Sequence, residues 1–378
     1  MEHLPYHCVC GKVYNQDNVV DAQKSLPKPP KYNKSLPCIN RGEYIGKTDC
    51  NCASSKIYRC NLHKTCTLKP VLSKLSPNAV CSKCEDYQSF PNSSVMVITC
   101  HWNPLKFKRL RETYLEWRPT IKFPLQCIEL VIDNEEPELP DSIVIRGDKE
   151  NILWQKERML NILIEDLPPE VKYVAWVDHD CVFKDKQWLE KSIQKLDSGI
   201  DLLQPWSKVE YLNLNKKIIS TKPSATYTLK QGKYPNTGPG LAWVAKREFL
   251  DKIGGLYDRN IVGGADAVFF YSITNQRTEF LKRQSQKVVE NCEKWKSSID
   301  FEVKWDYIEG TVQHLYHGDN KNRQYVSRDE IIKDYDFDPN KHIEIGENRL
   351  LRFTKEVDQN FKDKIIEYFL NRKDDGCV

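Results

Sequence analysis

The run Tyr173-Val-Ala-Trp-Val177 constrains this chain more than any other stretch. It is unbroken and apolar, with Pro168-Pro169 upstream and Asp178 and Asp180 downstream. A short run rich in β-branched and aromatic residues reads as a strand buried on both faces, as in a parallel sheet. Ligands of open α/β sheets bind outside the carboxyl ends of the strands, which is where Asp178 and Asp180 stand. Two carboxylates one residue apart, with no Lys or Arg beside them in sequence, suit a hard divalent cation such as Mg²⁺ or Mn²⁺. The competing reading is a strand-end turn whose Asp side chains bond their own backbone.

The surrounding sequence supports an α/β body. Val95 to Cys100 is a first strand, leading to His101-Trp-Asn-Pro104 in a loop and a basic helix over 106–117. Gln126–Ile132 is a second strand ending at Asp133, and 142–145 a third. A helix is expected over 150–167, burying Ile152, Met159, Leu160, Leu163 and Leu167 at helical spacing. Trp154, Lys156, Arg158 and Asn161 fall at its polar margins. Strands alternating with helices indicate a nucleotide-binding α/β sheet. No Gly-rich phosphate loop of the Walker or dinucleotide type is present, so a bound diphosphate would depend on a metal.

At 378 residues the chain can hold one large domain and a smaller module, and nine Trp, eighteen Tyr and thirteen Phe are ample for a core. A net charge of +4 with interspersed signs argues against a nucleic-acid binder. No apolar run approaches the ~18 residues of a membrane span. The N-terminus lacks a basic segment followed by an apolar one, so a soluble, cytoplasmic protein is expected.

Nine of the fourteen cysteines precede Glu85. Without an export signal, dense cysteine argues for metal over disulfides. Cys81-Ser-Lys-Cys84 is a thiolate knuckle, and Cys38, Cys50, Cys52, Cys60, His63 and Cys66 supply further ligands for structural Zn²⁺. The pairings stay open, and an iron–sulfur cluster or disulfides are the alternatives. Apolar residues are sparse here, so metal would staple a module spanning 1–90.

Beyond the central strand, Gly238-Pro-Gly240 precedes a strand at 241–244, and Gly263-Gly-Ala-Asp266 precedes a helix over 267–273. Asp266 reads as a general base or as an N-cap. Residues 311–316 alternate like a strand that delivers His317 at its end, with His314 off that alternation. Lys321, Arg323 and Arg328 follow, as phosphate contacts or a solvated charge run. Ser327-X-X-Glu330 reads as a capping box, and 355–371 as an amphipathic helix.

Taken in order, Val97-Ile-Thr-Cys-His-Trp-Asn-Pro104, Leu153-Trp-Gln-Lys-Glu-Arg-Met-Leu-Asn161 and Tyr173-Val-Ala-Trp-Val-Asp-His-Asp180 resemble the donor half of GT-A-fold glycosyltransferases with an Asp-X-Asp metal motif. Residues 236–272 resemble the acceptor half, and the likeness spans about 95 to 320. The resemblance implies a GT-A-like α/β fold, a mixed central sheet flanked by helices, over 91–320. A C-terminal helical extension, 321–378, would pack on it. It implies Asp178, Asp180 and His317 on Mn²⁺ or Mg²⁺, and His101, Trp102, Asp133, Lys156, Asp178 and Gly240 at a UDP- or GDP-linked sugar. Asp266 would be the base, and the partner a glycan or protein hydroxyl acceptor. Competing classes are a nucleotidyltransferase and a zinc-dependent glycan- or protein-binding module.

Overall fold

A computed structural model describes residues 94–378 apart from 236, 237, 277, 278, 377 and 378, together with five short strands before residue 73. The chain divides into two compact units, Met1–Ser93 and Ser94–Val378. In the first unit Tyr6–His7 pairs antiparallel with Val13–Tyr14. Arg41–Lys47, Lys56–Cys60 and Pro70–Leu72 form a three-stranded antiparallel sheet. Cys38, Cys50, Cys52, His63, Cys66, Cys81 and Cys84 lie outside the described residues, and Cys60 is described only as the end of its strand.

The second unit is built on a seven-stranded sheet. Its strands are β1 (Val95–His101), β2 (Leu125–Ile132), β3 (Ile143–Gly147) and β4 (Tyr173–Val177), followed by β6 (Leu202–Gln204), β9 (Ala242–Lys246) and β10 (Trp305–Tyr307). Their spatial order is β10-β6-β9-β4-β1-β2-β3. From β3 to β4 every pairing is parallel, whereas β9 runs antiparallel to both β4 and β6.

The alternation of side chains across a strand explains why these runs are continuously apolar. Val174 and Trp176 enter one core cluster, and Ala175 and Val177 enter the other. Met96 and Ile98 likewise face opposite Val97. Helix α2 (Lys156–Asp166) covers the first face with Met159, Leu160 and Leu163. Helices α1 (Lys108–Trp117) and α3 (Trp188–Asp197) cover the second with Tyr114, Trp117, Trp188 and Leu189. Each fully buried side chain of this size contributes about 1.5–3 kcal/mol.

A smaller sheet of β5 (Cys181–Phe183), β11 (Thr311–His314), β7 (Lys208–Leu212) and β8 (Ile218–Pro223) stands beside the main one. Helices α4 (Ala225–Lys230), α5 (Arg247–Lys252), α6 (Ala265–Ile273), α7 (Glu279–Lys282) and α8 (Gln286–Ser297) lie between and after these strands. A third core cluster joins α6 to α9 (Ser327–Asp334) and α10 (Gln359–Asn371) through Val268, Ile332, Phe361 and Ile365. It also holds the hairpin β12 (Ile343–Ile345) and β13 (Leu351–Phe353), so residues 321–378 are not helical throughout.

Four local expectations differ from the structure. The helix expected from residue 150 begins only at Lys156, after a 3₁₀ turn over Lys149–Asn151 that Asp148 caps. The segment between them turns its amides to β13: Asn151 Nδ2 and Gln155 Nε2 both donate to Leu351 O, at 2.8 and 2.6 Å. Arg158 and Asn161, expected at a polar margin, are buried among polar partners. The capping box at Ser327 does not form, because Val326 holds the N-cap position and no side chain caps it. The last helix starts at Gln359 rather than 355, because Asp358 Oδ1 accepts from Phe361 N at 2.9 Å.

Candidate active site

Asp178 is the first residue past β4, and its amide donates to Leu241 O at 2.8 Å. Its Oδ1 lies 2.5 Å from Nζ of Lys156, the first residue of α2. The carboxylate pair without a nearby cation, as the sequence reads, is thereby corrected: Lys156 is distant in the chain and adjacent in space. Burial works against the Lys156 ammonium, but Asp178, Glu157 and Asp266 together hold it well above its ordinary value. Burial pushes Asp178 up, with Lys156 opposing and Asp180 and Asp266 adding to the rise.

Asp180 faces a different set of groups. Its Oδ2 lies 2.7 Å from His317 Nε2 and 3.5 Å from His314 Nε2, and the two imidazole nitrogens are 3.4 Å apart. The smaller sheet makes this possible, since Cys181 is registered opposite His314 and Leu315 N donates to Asp180 O at 2.8 Å. Burial works to raise Asp180, but His314 and His317 hold it well below the usual carboxylate range. His317 is pushed down to about 4 by burial and by the Arg323 guanidinium.

Arg323 Nη2 lies 2.5 Å from His317 Nδ1 and donates to His317 O at 3.0 Å. Arginine only donates, so Nδ1 accepts and Nε2 carries the proton that points at Asp180. One carboxylate and two imidazoles, all in reach of one another, are a donor set that fits a divalent cation once the His317 proton shifts to Nδ1, which requires Arg323 to release that nitrogen. Asp178, expected in the metal shell, lies outside this cluster and is held by Lys156. His314, off the expected strand face, belongs to it.

Asp266 sits in the first turn of α6. The N-cap is Gly264, at φ 94°, a left-handed conformation natural to glycine. Asp266 Oδ1 accepts from Ala267 N at 2.9 Å, and a Cβ built on Gly240 would lie 2.4 Å from its Oδ2. A side chain at 240 would push the carboxylate aside. Lys156, Glu157, Gly240, Leu241, Ala265 and Asp266 line one cavity. Glu157 accepts from Trp154 Nε1 at 2.9 Å and is pushed up to about 7, by burial first and by Asp266. No motif in the sequence singles out Glu157.

The remaining predicted contacts go elsewhere. His101 is 1% exposed, and its Nε2 lies 2.6 Å from Glu138 Oε2, which also accepts from Asn103 Nδ2 at 2.8 Å. With Glu129, which takes the Glu138 and Leu139 amides, this set ties down the segment after β2. Trp102 packs against Trp154 and Phe369, with ring centroids 5.1 and 4.6 Å apart, as part of the interior. Asp133 is exposed past β2 in a left-handed conformation. The structure brings together Lys156, Asp178, Gly240 and Asp266, with Asp180, His314 and His317 beside them.

No family model matches the chain, and no curated protein matches it in sequence. Among solved structures it is similar to a mutant Drosophila β1,4-galactosyltransferase 7 in complex with manganese, UDP-Gal and xylobiose, at 10% identity and a TM-score of 0.36, over 72% of this chain and 98% of that one. It is also similar to S. aureus TarS in complex with UDP-GlcNAc, at 12% identity and a TM-score of 0.35, over 74% and 72%. A third is the mannosyltransferase PcManGT of Pyrobaculum calidifontis with GDP-Man and Mn²⁺, at 13% identity and a TM-score of 0.34, over 59% and 57%. Superpositions this loose match no residue to residue, and the chemistry of this chain is drawn from its own side chains.

Proposed function

We propose that the second unit is a metal-dependent glycosyltransferase of GT-A-like fold, moving a sugar from a UDP- or GDP-linked donor to a hydroxyl acceptor. The observation that carries this reading is the meeting of Asp180, His314 and His317 at the end of the central strand. Asp178 feels both Asp180 and Asp266, so the cation cluster and the candidate base share one electrostatic neighbourhood. Two imidazoles beside one carboxylate favour Mn²⁺ over Mg²⁺, which prefers all-oxygen shells. A bound divalent cation would supply Lewis-acid neutralisation of the departing diphosphate.

The chain's own groups do the rest. Lys156 fixes Asp178 at the strand end. Asp266 presents Oδ2 against Gly240, where an acceptor hydroxyl can approach backbone without a side chain between, and takes its proton. Its neighbour Glu157 binds a proton near neutral pH and so adds no fixed negative charge below about 7. For the head, cysteine spacing alone supports structural zinc.

The test is Mn²⁺-dependent hydrolysis and transfer across a panel of UDP- and GDP-sugars, with Mn²⁺ binding followed separately by electron paramagnetic resonance. Asp180→Asn should weaken Mn²⁺ binding and turnover, each on the order of 100-fold. Turnover untouched by Asp180→Asn, or none with any donor, would overturn the proposal.

A further inference from the structure

A second cavity, of about 580 Å³, shares Leu256 and Tyr257 with the cavity that Asp266 lines. One wall is helix α8 with its C-cap, which turn Asn291, Lys294, Trp295 and Ser298 into it. That spacing, i, i+3, i+4 and i+7, is a single helix face. The helix buries Val288 and Cys292 on its other side, and this face is half-exposed. Here it carries an amide, an ammonium, an indole and a hydroxyl.

The rest of the lining is polar as well. Arg158 forms part of the floor; it is 7% exposed, and its Nε has no hydrogen-bond partner among the described residues. Asp258 accepts from Arg158 and Asn161, both at 3.2 Å, and lies 3.2 Å from Arg259. Asn291 Oδ1 accepts from Tyr257 O–H at 2.9 Å while its Nδ2 donates to Asn340 Oδ1 at 3.0 Å. The amides are thus oriented before any ligand arrives, and each keeps hydrogen-bonding capacity. Arg158 is held by Asp258 and, at 2.7 Å, by Glu165 outside the lining, and Arg259 by Asp258, which leaves Lys294 as the uncommitted charge of the lining. Among the described residues Lys294 has no ion-pair partner.

We propose that this cavity is a second saccharide site, taking a short acidic glycan segment. Its volume fits an oligosaccharide rather than an inorganic ion. Oriented amides and a carboxylate suit vicinal hydroxyls, Trp295, half-buried and braced by Tyr257 and Phe269, lends the cavity an apolar surface for a sugar, and the uncommitted Lys294 ammonium selects carboxylated or phosphorylated units. A nucleotide would ask for a two-sided apolar slot, which a single indole does not make. The site stands independently of the transferase reading.

The experiment titrates the full chain with trigalacturonate and with maltotriose as probes, by calorimetry and tryptophan fluorescence at low salt. Trigalacturonate should bind at least about tenfold tighter than maltotriose. Lys294→Glu and Asn340→Ala, both on exposed side chains, should each weaken it several-fold with unchanged thermal melts, and Asp180→Asn should bind it like the wild type. Equal binding by wild type and Lys294→Glu, no binding of either trisaccharide, or loss in Asp180→Asn would each overturn the proposal.

Discussion

Glu157→Gln should stabilise the protein at alkaline pH and leave it unchanged in acid. Glu157 is 7% exposed and its carboxyl is pushed from 4.5 to about 7, chiefly by burial. The folded state therefore holds this proton more tightly than the unfolded state does. Between 4.5 and about 7 the unfolded chain ionises while the folded one does not, so stability falls as pH rises through that window. Above about 7 the full cost is present: at 1.36 kcal/mol per pH unit the interval amounts to about 3 kcal/mol. Glutamine keeps the shape and an oxygen to accept from Trp154 Nε1, but has nothing to ionise. Urea unfolding of both proteins at pH 4.5 and pH 8, with equal m-values, isolates the difference. A gain of about 3 kcal/mol at pH 8 and near zero at pH 4.5 is expected. An equal difference at both pH values would refute the linkage, and a loss at pH 8 would show that the ionised form is the stabilising one.

Lys156→Met should cost about 3 kcal/mol at neutral pH, because it strands a largely buried Asp178 carboxylate. That cost should shrink in acid as Asp178 protonates, which urea titrations at two pH values will show. Gly240→Ala should keep the fold yet lower transfer activity at least about tenfold, since the added methyl crowds Asp266 Oδ2 and displaces the carboxylate. Unchanged activity, measured beside a normal thermal melt, would remove Asp266 from the reaction.

The strands of the main sheet were legible because burial on both faces leaves a continuous apolar signature, as in Tyr173–Val177 and in the run from Val95. The glycines at 240, 263 and 264 were legible for a related reason, each marking a place with no room for, or a backbone hostile to, a side chain. What the sequence concealed was partnership across distance. Nothing local to Asp178 announces Lys156, and their pairing turns the Asp178 carboxylate away from the group that Asp180 forms with His314 and His317. His314 was obscured by strand alternation, because its strand stops at His314 itself and the chain then turns to bring His317 beside it. Helix α2 looked longer than it is because Ile152 continues its apolar period, while Asn151 and Gln155 spend their amides on β13. Backbone capture of that kind leaves no periodic trace.

The reversed direction of β9 against β4 has a geometric consequence. Because Val177 is registered with Ala242, the exit of one strand and the entry of the other share a rim, which no all-parallel neighbour would allow. Five residue pairs zip Asp178 to the Gly240 turn, and sliding that ladder by one pair would part them by about 3.4 Å. The spacing between Asp178 and the Gly240 turn is therefore carried by backbone register.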